Sequence, residues 1–244
     1  MKRNLEKYFE DYSNQPFEKI QVYYRKLKVL ERINFHRPTK ILEIGCGDSS
    51  QVLLDYNYQS LKIIEPSLKF YNKNKKIINS NSHLNASIEN VYFENFKNTD
   101  DVKYDFIIVS SLLHEIENLN FFLKKIFEMS NTETIIHINV PNANSFHRLL
   151  AKNMGIISST SDKSESNLKL QTQRIFDLNL LREQVTFFNF KIINSGSFFI
   201  KPFTHSQMQK LLDFKIIDLE VIDGLYGFLD ETELGSEIFV DIQK

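Results

Sequence analysis

The segment Lys40-Ile-Leu-Glu-Ile-Gly-Cys-Gly-Asp-Ser49 constrains this chain more than any other, because an apolar run fit for a buried strand leads directly into a glycine-spaced turn. Glycine has no Cβ, so Gly45 and Gly47 can take dihedrals closed to other residues and leave room where a side chain would collide with a bound molecule. A second apolar run, Leu61-Lys-Ile-Ile-Glu65, ends in an acid. That acid falls about 20 residues past Gly45, the spacing at which a second parallel strand delivers a carboxylate to a ribose. Together the two runs read as a nucleoside site.

A chain of 244 residues suits one α/β domain with a substantial core and is short for two. Lys plus Arg number 30 and Asp plus Glu 31, a formal charge of -1, so no global electrostatic footprint for nucleic acid is present. The single cysteine, Cys46, lies inside the glycine turn, which leaves no intramolecular disulfide and no thiol cluster. His83, His137 and His205 fall in different elements without a ligand pattern, and no metal site is expected. The first ten residues carry charges where a secretory signal needs an apolar run, and no later stretch approaches membrane-spanning length. The expectation is a protein of the reducing cytoplasm, neither exported by that route nor inserted in a membrane.

Residues 1–38 read as helical, with Phe17, Ile20, Tyr24, Leu27 and Leu30 at spacings that place them on one face before Pro38 ends the segment. Apolar runs at 41–44, 61–64, 106–109 and 134–140 then alternate with expected helices over 51–56, 68–78 and 118–129. Strand and helix in alternation imply a parallel sheet with crossover helices. Beyond Pro141 a helix is expected over 145–154. The polar stretch 158–167 follows as a mobile, lid-like loop, and a helix over 179–188 comes next. A strand at 191–193, a turn at Gly196, a strand at 198–200 and a half-buried strand at 237–242 complete the chain. One domain spans 1–244, divided into a helical cap (1–38), a ligand-binding core (39–141) and lid helices with carboxyl-terminal strands (142–244).

These residues resemble class I S-adenosylmethionine-dependent methyltransferases of the small-molecule branch. Residues 41–47 look like that family's first motif and Ile64-Glu65 like its second. The stretches 104–118 and 138–148 are similar to its fourth and fifth strands and their exits, with weaker similarity at Arg174-Ile-Phe-Asp177 and Gly235-Ser-Glu-Ile238. The resemblance implies a Rossmann-like, seven-stranded, mostly parallel sheet with helices on both faces, an antiparallel carboxyl-terminal strand and a helical amino-terminal cap. Ser49 stands where a third glycine is frequent, the order Leu113-His114-Glu115 inverts a common Leu-Glu-His, and Thr172 replaces a frequent histidine.

The resemblance also implies roles. Gly45, Cys46 and Gly47 approach the amino acid portion of S-adenosylmethionine, Glu43 accepts from its ammonium directly or through water, and Glu65 accepts from the ribose hydroxyls. Ser87 and Ile88 hold adenine, with Asn95 and Phe96 as substitutes, while Ser110 and Leu112 lie beneath the methionine portion. His114 and His147 are candidate bases. Asn142, Arg148, Arg174 and Lys201 are candidates to hold the acceptor, the three cations converging on an anion. Tyr12, with Tyr8, Phe9 and Tyr24, is a candidate to cap the acceptor cavity. The implied reaction is methyl transfer to an oxygen, alternatively a nitrogen, of a small polar acceptor such as a sugar-like or phosphorylated precursor of a bacterial polysaccharide or secondary metabolite. Two rivals stand beside it. A nicotinamide oxidoreductase needs glycine at the sixth fingerprint position, where Ser50 stands, and a catalytically silent module would keep the cofactor without turnover.

Overall fold

Every strand of the sheet but the third, residues 86–89, forms on an apolar stretch just described, and the strand order explains where a ligand can sit. The chain is described over residues 3–99, 101–228 and 233–244 by a computed structural model. The strands are β1 (Lys40–Ile44), β2 (Ser60–Ile64), β3 (Ala86–Glu89), β4 (Phe106–Ser110), β5 (Ile135–Pro141), β6 (Lys191–Phe198) and β7 (Glu237–Gln243). They form one seven-stranded sheet in the order β3-β2-β1-β4-β5-β7-β6. β1 to β5 are parallel, and β7 runs antiparallel to both its neighbours. The order reverses between β1 and β4, where open α/β sheets place their ligand crevice beyond the strands' carboxyl ends.

The expected amino-terminal helix is two helices, α1 (Leu5–Ser13) and α2 (Glu18–His36). Pro16, which has no amide hydrogen to donate, and Phe17, held at φ 61°, separate them; residues 1 and 2 lie outside the described residues. The helix expected over 51–56 is instead a series of turns. These turns are closed by Val52 N and Leu53 N donating to Ser50 Oγ and by Asp55 N donating to the Val52 carbonyl, while Tyr58 OH takes the Leu53 carbonyl. Helices α3 (Leu68–Asn79), α4 (Leu119–Met129), α5 (Phe146–Asn153) and α7 (Leu178–Phe187) fall where periodicity placed them.

The 158–167 stretch is a tight turn followed by a short helix, α6 (Glu165–Lys169), with a capping box at Ser164. Gly196 is no turn: β6 continues through it, paired with Phe239 of β7 and bulged between Ile192 and Asn194, and ends at Phe198. Two helices that periodicity missed, α8 (His205–Asp213) and α9 (Leu219–Gly227), precede β7.

The two faces of the sheet are covered differently. One packs Leu42, Ile107, Val109, Ile136, Ile138 and Val240 against the apolar stripes of α4 and α7. The other lies under α2, where Val29 and Ile33 meet Ile41 and Ile108. Toward β5 and β7 this second contact is polar. Arg25 Nε donates to Glu237 Oε1 at 2.8 Å, Lys28 Nζ stands 4.7 Å from the Phe239 ring centroid, and Arg32 Nε donates to Asp241 Oδ2. His137 Nδ1 closes the set, 2.7 Å from Asp241 Oδ1. Positions 21, 25, 28 and 32 recur every three or four residues, so one helix face carries them all.

Asp241 is wholly buried. Removing one partner of a buried ion pair leaves an uncompensated charge, at a cost of about 3–5 kcal/mol. Arg32→Leu should therefore lose stability of that order in urea unfolding, and a loss below about 0.5 kcal/mol would show that the pair does not fasten α2 to the sheet.

Candidate active site

The glycine turn has the geometry its sequence requires. Gly45 and Gly47 take φ of +75° and +57°. A Cβ on Gly45 would come 2.9 Å from Leu112 Cδ2, whereas one on Gly47 would meet nothing within 4 Å. Gly45 is thus fixed by packing and conformation, and Gly47 leaves open space above the loop. Beneath the loop Glu43 is wholly buried, accepting from Ser50 Oγ and from Gln51 N at 2.8 Å. Asn74 of α3 accepts from Ser50 N at 2.9 Å and donates to the Gly47 carbonyl at 3.1 Å. Each Glu43 oxygen thus accepts one bond from the loop and keeps a second lone pair, which does not conflict with the expected acceptance from the cofactor ammonium, directly or through water.

Glu65, at the end of β2, accepts from Gly47 N at 3.0 Å and Ser67 N at 2.8 Å. Burial is the largest influence on its pKa, which is pushed up to about 7. Gly45, Cys46, Gly47, Glu65, Ser110 and Leu112 line one cavity with Tyr12, as the sequence expected, and Phe70, Arg25 and Glu115 complete its wall. Tyr8 and Tyr12 stack at 5.7 Å, and both meet the Phe70 ring edge-on. Tyr8 OH donates to Glu115 Oε1 at 2.8 Å, and Arg3 pairs with Glu115 Oε2 at 2.8 Å. α1 thereby lies across the crevice and closes the cavity to about 80 Å³.

A nucleoside with an amino acid tail fits the chemistry of these walls. Ser110 Oγ and Gln51 Oε1 are buried without hydrogen-bond partners, Glu65 offers a carboxylate, and the backbone above Gly47 is open. Ligand pockets commonly measure about 300–1,000 Å³, so α1 must move outward to admit such a molecule.

Other expected site residues are placed elsewhere. Ser87 and Ile88 pair with Lys62 and Ile63 inside β3, and Ser87 lines a separate cleft with Lys62 and Phe96. The strand leaves the sheet at Glu89, whose carbonyl accepts from Glu65 N, and Asn90 next to it donates to the Glu65 carbonyl. Asn142 donates to the carbonyls of Glu233 and Gly235 and accepts from Asn144 N, so it braces the β5 exit. Arg148 donates to the carbonyls of Thr160 and Asp162, and Arg174 to that of Ile116. These two guanidinium groups fasten loops and, with Asn142 and His114, line one cleft; Lys201, the third expected cation, is not part of it. Tyr24 stacks on Phe199 and Tyr226, away from the cavity; Phe9 packs on Phe70.

His114 lines a second cleft with Ala143, Arg148, Thr172 and Phe176. Its Nε2 is 3.7 Å from Glu115 Oε1, so it stands directly behind the wall of the first cavity. Burial, with Arg25 and Arg3, lowers its pKa to about 3. Burial, with Lys201 and Arg148, does the same to His147. Lys201 is 4% exposed and is lowered to about 7 by burial, with Glu18 and Glu237 acting the other way. Sequence reasoning missed Arg25, Glu115, Asn74 and Glu237. All are polar residues on helical or strand faces, and only tertiary contact distinguishes them from solvated ones.

The geometry agrees with what the whole chain resembles. A family model described as a methyltransferase domain matches residues 17–194. The chain belongs to this methyltransferase family, the S-adenosylmethionine-dependent class. No curated protein sequence matches it. Among solved structures it is similar to the plantazolicin methyltransferase BamL, in complex with a triazolic desmethylPZN analog and SAH, with a TM-score of 0.60 and 16% identity over 98% of this chain and 96% of that one. It is similar to an S-adenosylmethionine-dependent methyltransferase from Mesorhizobium loti, at 0.58 and 10% over 84% and 90%. The N-methyltransferase NodS from Bradyrhizobium japonicum WM9 gives 0.54 and 10% over 95% and 89%. Among the described residues no helix is long and apolar enough to cross a membrane, and no group of three or more His, Cys, Asp or Glu is arranged for a metal ion.

Two consequences for cofactor affinity follow from Glu65. Glu65→Ala should weaken S-adenosylhomocysteine binding by about 1.5–3 kcal/mol in calorimetry, the worth of hydrogen bonds to a charged group. Because the free protein holds Glu65 protonated below about pH 7, wild-type affinity should fall as pH drops through that value, while Glu65→Gln should lack this component. Parallel pH profiles for the two proteins would remove Glu65 from the ribose position.

Proposed function

We propose that the protein transfers a methyl group from S-adenosylmethionine to an oxygen of a small polar metabolite, sugar-like or phosphorylated. The observation that carries this reading is the closure of the glycine-loop cavity by α1. Tyr8 and Tyr12 roof it and Arg25 and Glu115 wall it, so the acceptor side is polar and confined. A formal charge of -1 likewise supports a small acceptor over nucleic acid.

Bound S-adenosylmethionine supplies a methyl group on a sulfonium that is already a good leaving group. The chain's contribution is alignment: Gly45 and Leu112 fix the loop, Glu65 fixes the ribose, and the α1 tyrosines exclude water from the acceptor side. Holding two reactants in line contributes up to about 7–11 kcal/mol when the geometry is good. As the acceptor oxygen bonds to the methyl carbon and the carbon–sulfur bond breaks, the hydroxyl proton must leave. His114 is the candidate to receive it. Burial keeps its imidazole neutral at working pH with Nδ1 unpartnered, so a proton taken at Nδ1 is passed on from Nε2 to the Glu115 carboxylate, whose Oε1 is 3.7 Å away.

The test is a screen of candidate metabolites by mass for the gain of one CH₂. With an alcohol acceptor, His114→Ala should lower kcat by about 10²-fold. Survival of turnover in that variant, with loss in His147→Ala, would move the role to His147. Tight cofactor binding with no methylated product from any oxygen acceptor would defeat the proposal.

A further inference from the structure

Beside the glycine-loop cavity, at the carboxyl end of the sheet, lies a group of buried polar atoms with no partner. Asn139 on β5 is 0% exposed, and neither its Oδ1 nor its Nδ2 makes a hydrogen bond. Gln21 Oε1 on α2, Glu237 Oε2 on β7 and Ser110 Oγ on β4 are also buried and unpartnered. Sheet register brings them together: Ser110 is opposite Asn139, Asn139 opposite Phe239, and Pro141 opposite Glu237. Side chains of paired residues share a face, so these all lie under the amino-terminal half of α2. Ser110 and Arg25 also line the cavity, and Arg25 Nε donates to Glu237 Oε1. The polar group therefore begins where the cavity wall ends.

Unsatisfied polar atoms in a protein interior are costly, and four side chains of this kind on neighbouring positions, two of whose elements reach the cavity wall, point to a polar partner. We propose that they line a recess entered from the cavity at Ser110 and Arg25, that this recess receives the methyl acceptor, and that the acceptor is a neutral, polyhydroxylated compound. The inference rests on the methyltransferase reading above and narrows its acceptor.

Gln21 Oε1 and Glu237 Oε2 only accept hydrogen bonds, Asn139 both accepts and donates, and Ser110 does either. Hydroxyl groups, which donate and accept at once, complement the whole set. A phosphate or carboxylate would set its oxygens against Glu237. An ammonium would approach Arg25, held between Glu18 and Glu237 at 2.8 Å from each, and would leave Asn139 Nδ2 unmatched. The buried cation nearby, Lys201, has Glu18 and Glu237 as its attractive electrostatic partners.

The variant Asn139→Leu removes the amide at nearly constant volume and breaks no hydrogen bond within the protein. Calorimetry with S-adenosylhomocysteine comes first, and its failure to bind wild type would refute the underlying cofactor reading rather than the recess alone. Ligand-observed NMR on the loaded protein then compares methyl hexopyranosides and inositols with their monophosphates and with amino sugars. The neutral polyols should bind wild type, and Asn139→Leu should weaken them at least about tenfold while retaining S-adenosylhomocysteine. Preference for the phosphates or amino sugars, absence of any neutral polyol binding, or equal binding by the variant would overturn the inference. Should the variant not fold, which thermal melting reports, the wild-type preference decides alone.

Discussion

Everything at the crevice depends on how the backbone from Gly45 to Gln51 is held. The loop follows a strand buried on both faces, and its conformation is left-handed at two glycines, so its own sequence does not stabilise it strongly. A carboxylate below and an amide beside it do: Glu43 takes the Ser50 hydroxyl and the Gln51 amide, and Asn74 bridges Ser50 N and the Gly47 carbonyl. Both residues are wholly buried, and both come from the regular elements that flank the loop. The Ser50 and Gln51 amides, which the loop itself leaves without partners, are thereby satisfied. The loop is preorganised by the fold, and the open space above Gly47 is its product.

A second constraint concerns the helix α2. The opposite face of the sheet is covered by apolar helices in the ordinary way, and packing alone accounts for it. α2 carries Gln21, Arg25, Lys28 and Arg32 on the side it turns to β5 and β7, and the sheet answers with Glu237 and Asp241. Buried ion pairs of this kind contribute little net stability and specify position. Their consequence for the site is direct. The same helix that is fixed by Asp241 at one end delivers Arg25 to the cavity wall at the other, and α1, joined to it through Pro16, is the roof.

Much of the core was legible because its signals are local. Apolar runs, unbroken in β4 and interrupted only by Glu43 in β1 and Lys62 in β2, defined these strands, and the position of Glu65 followed from the length of one strand, crossover and strand. What was not legible depended on partners far along the chain. Periodicity predicts a helix over 51–56, but Ser50 Oγ draws Val52 N and Leu53 N into a turn and Tyr58 OH takes the Leu53 carbonyl. Gly196 looks like a turn until β7, some forty residues on, pairs across it. Ser87 and Ile88, the expected adenine contacts, lie two rows and one row inside the end of β3. Glu43 has a duty that its position in the run does not disclose, since only its buried partners reveal that it holds the loop. Other signals were present and unused: Thr204 and Gln207 have the spacing of a capping box that opens α8, as the structure bears out. Arg148 and Arg174 could not be separated from substrate-binding cations by sequence, because the carbonyls they hold belong to loops without regular pattern.

The central claim is that one hollow, floored by the loop at Gly47 and edged by Glu65, takes the nucleoside when α1 swings away. A crystal structure of the protein grown with S-adenosylhomocysteine tests it most directly. The account predicts ribose hydroxyls on the Glu65 carboxylate, the thioether near Ser110 and Leu112, and Tyr8 and Tyr12 displaced from Phe70. A ligand bound at any other place, with α1 unmoved and Glu65 still bonded to Gly47 and Ser67 alone, would contradict it.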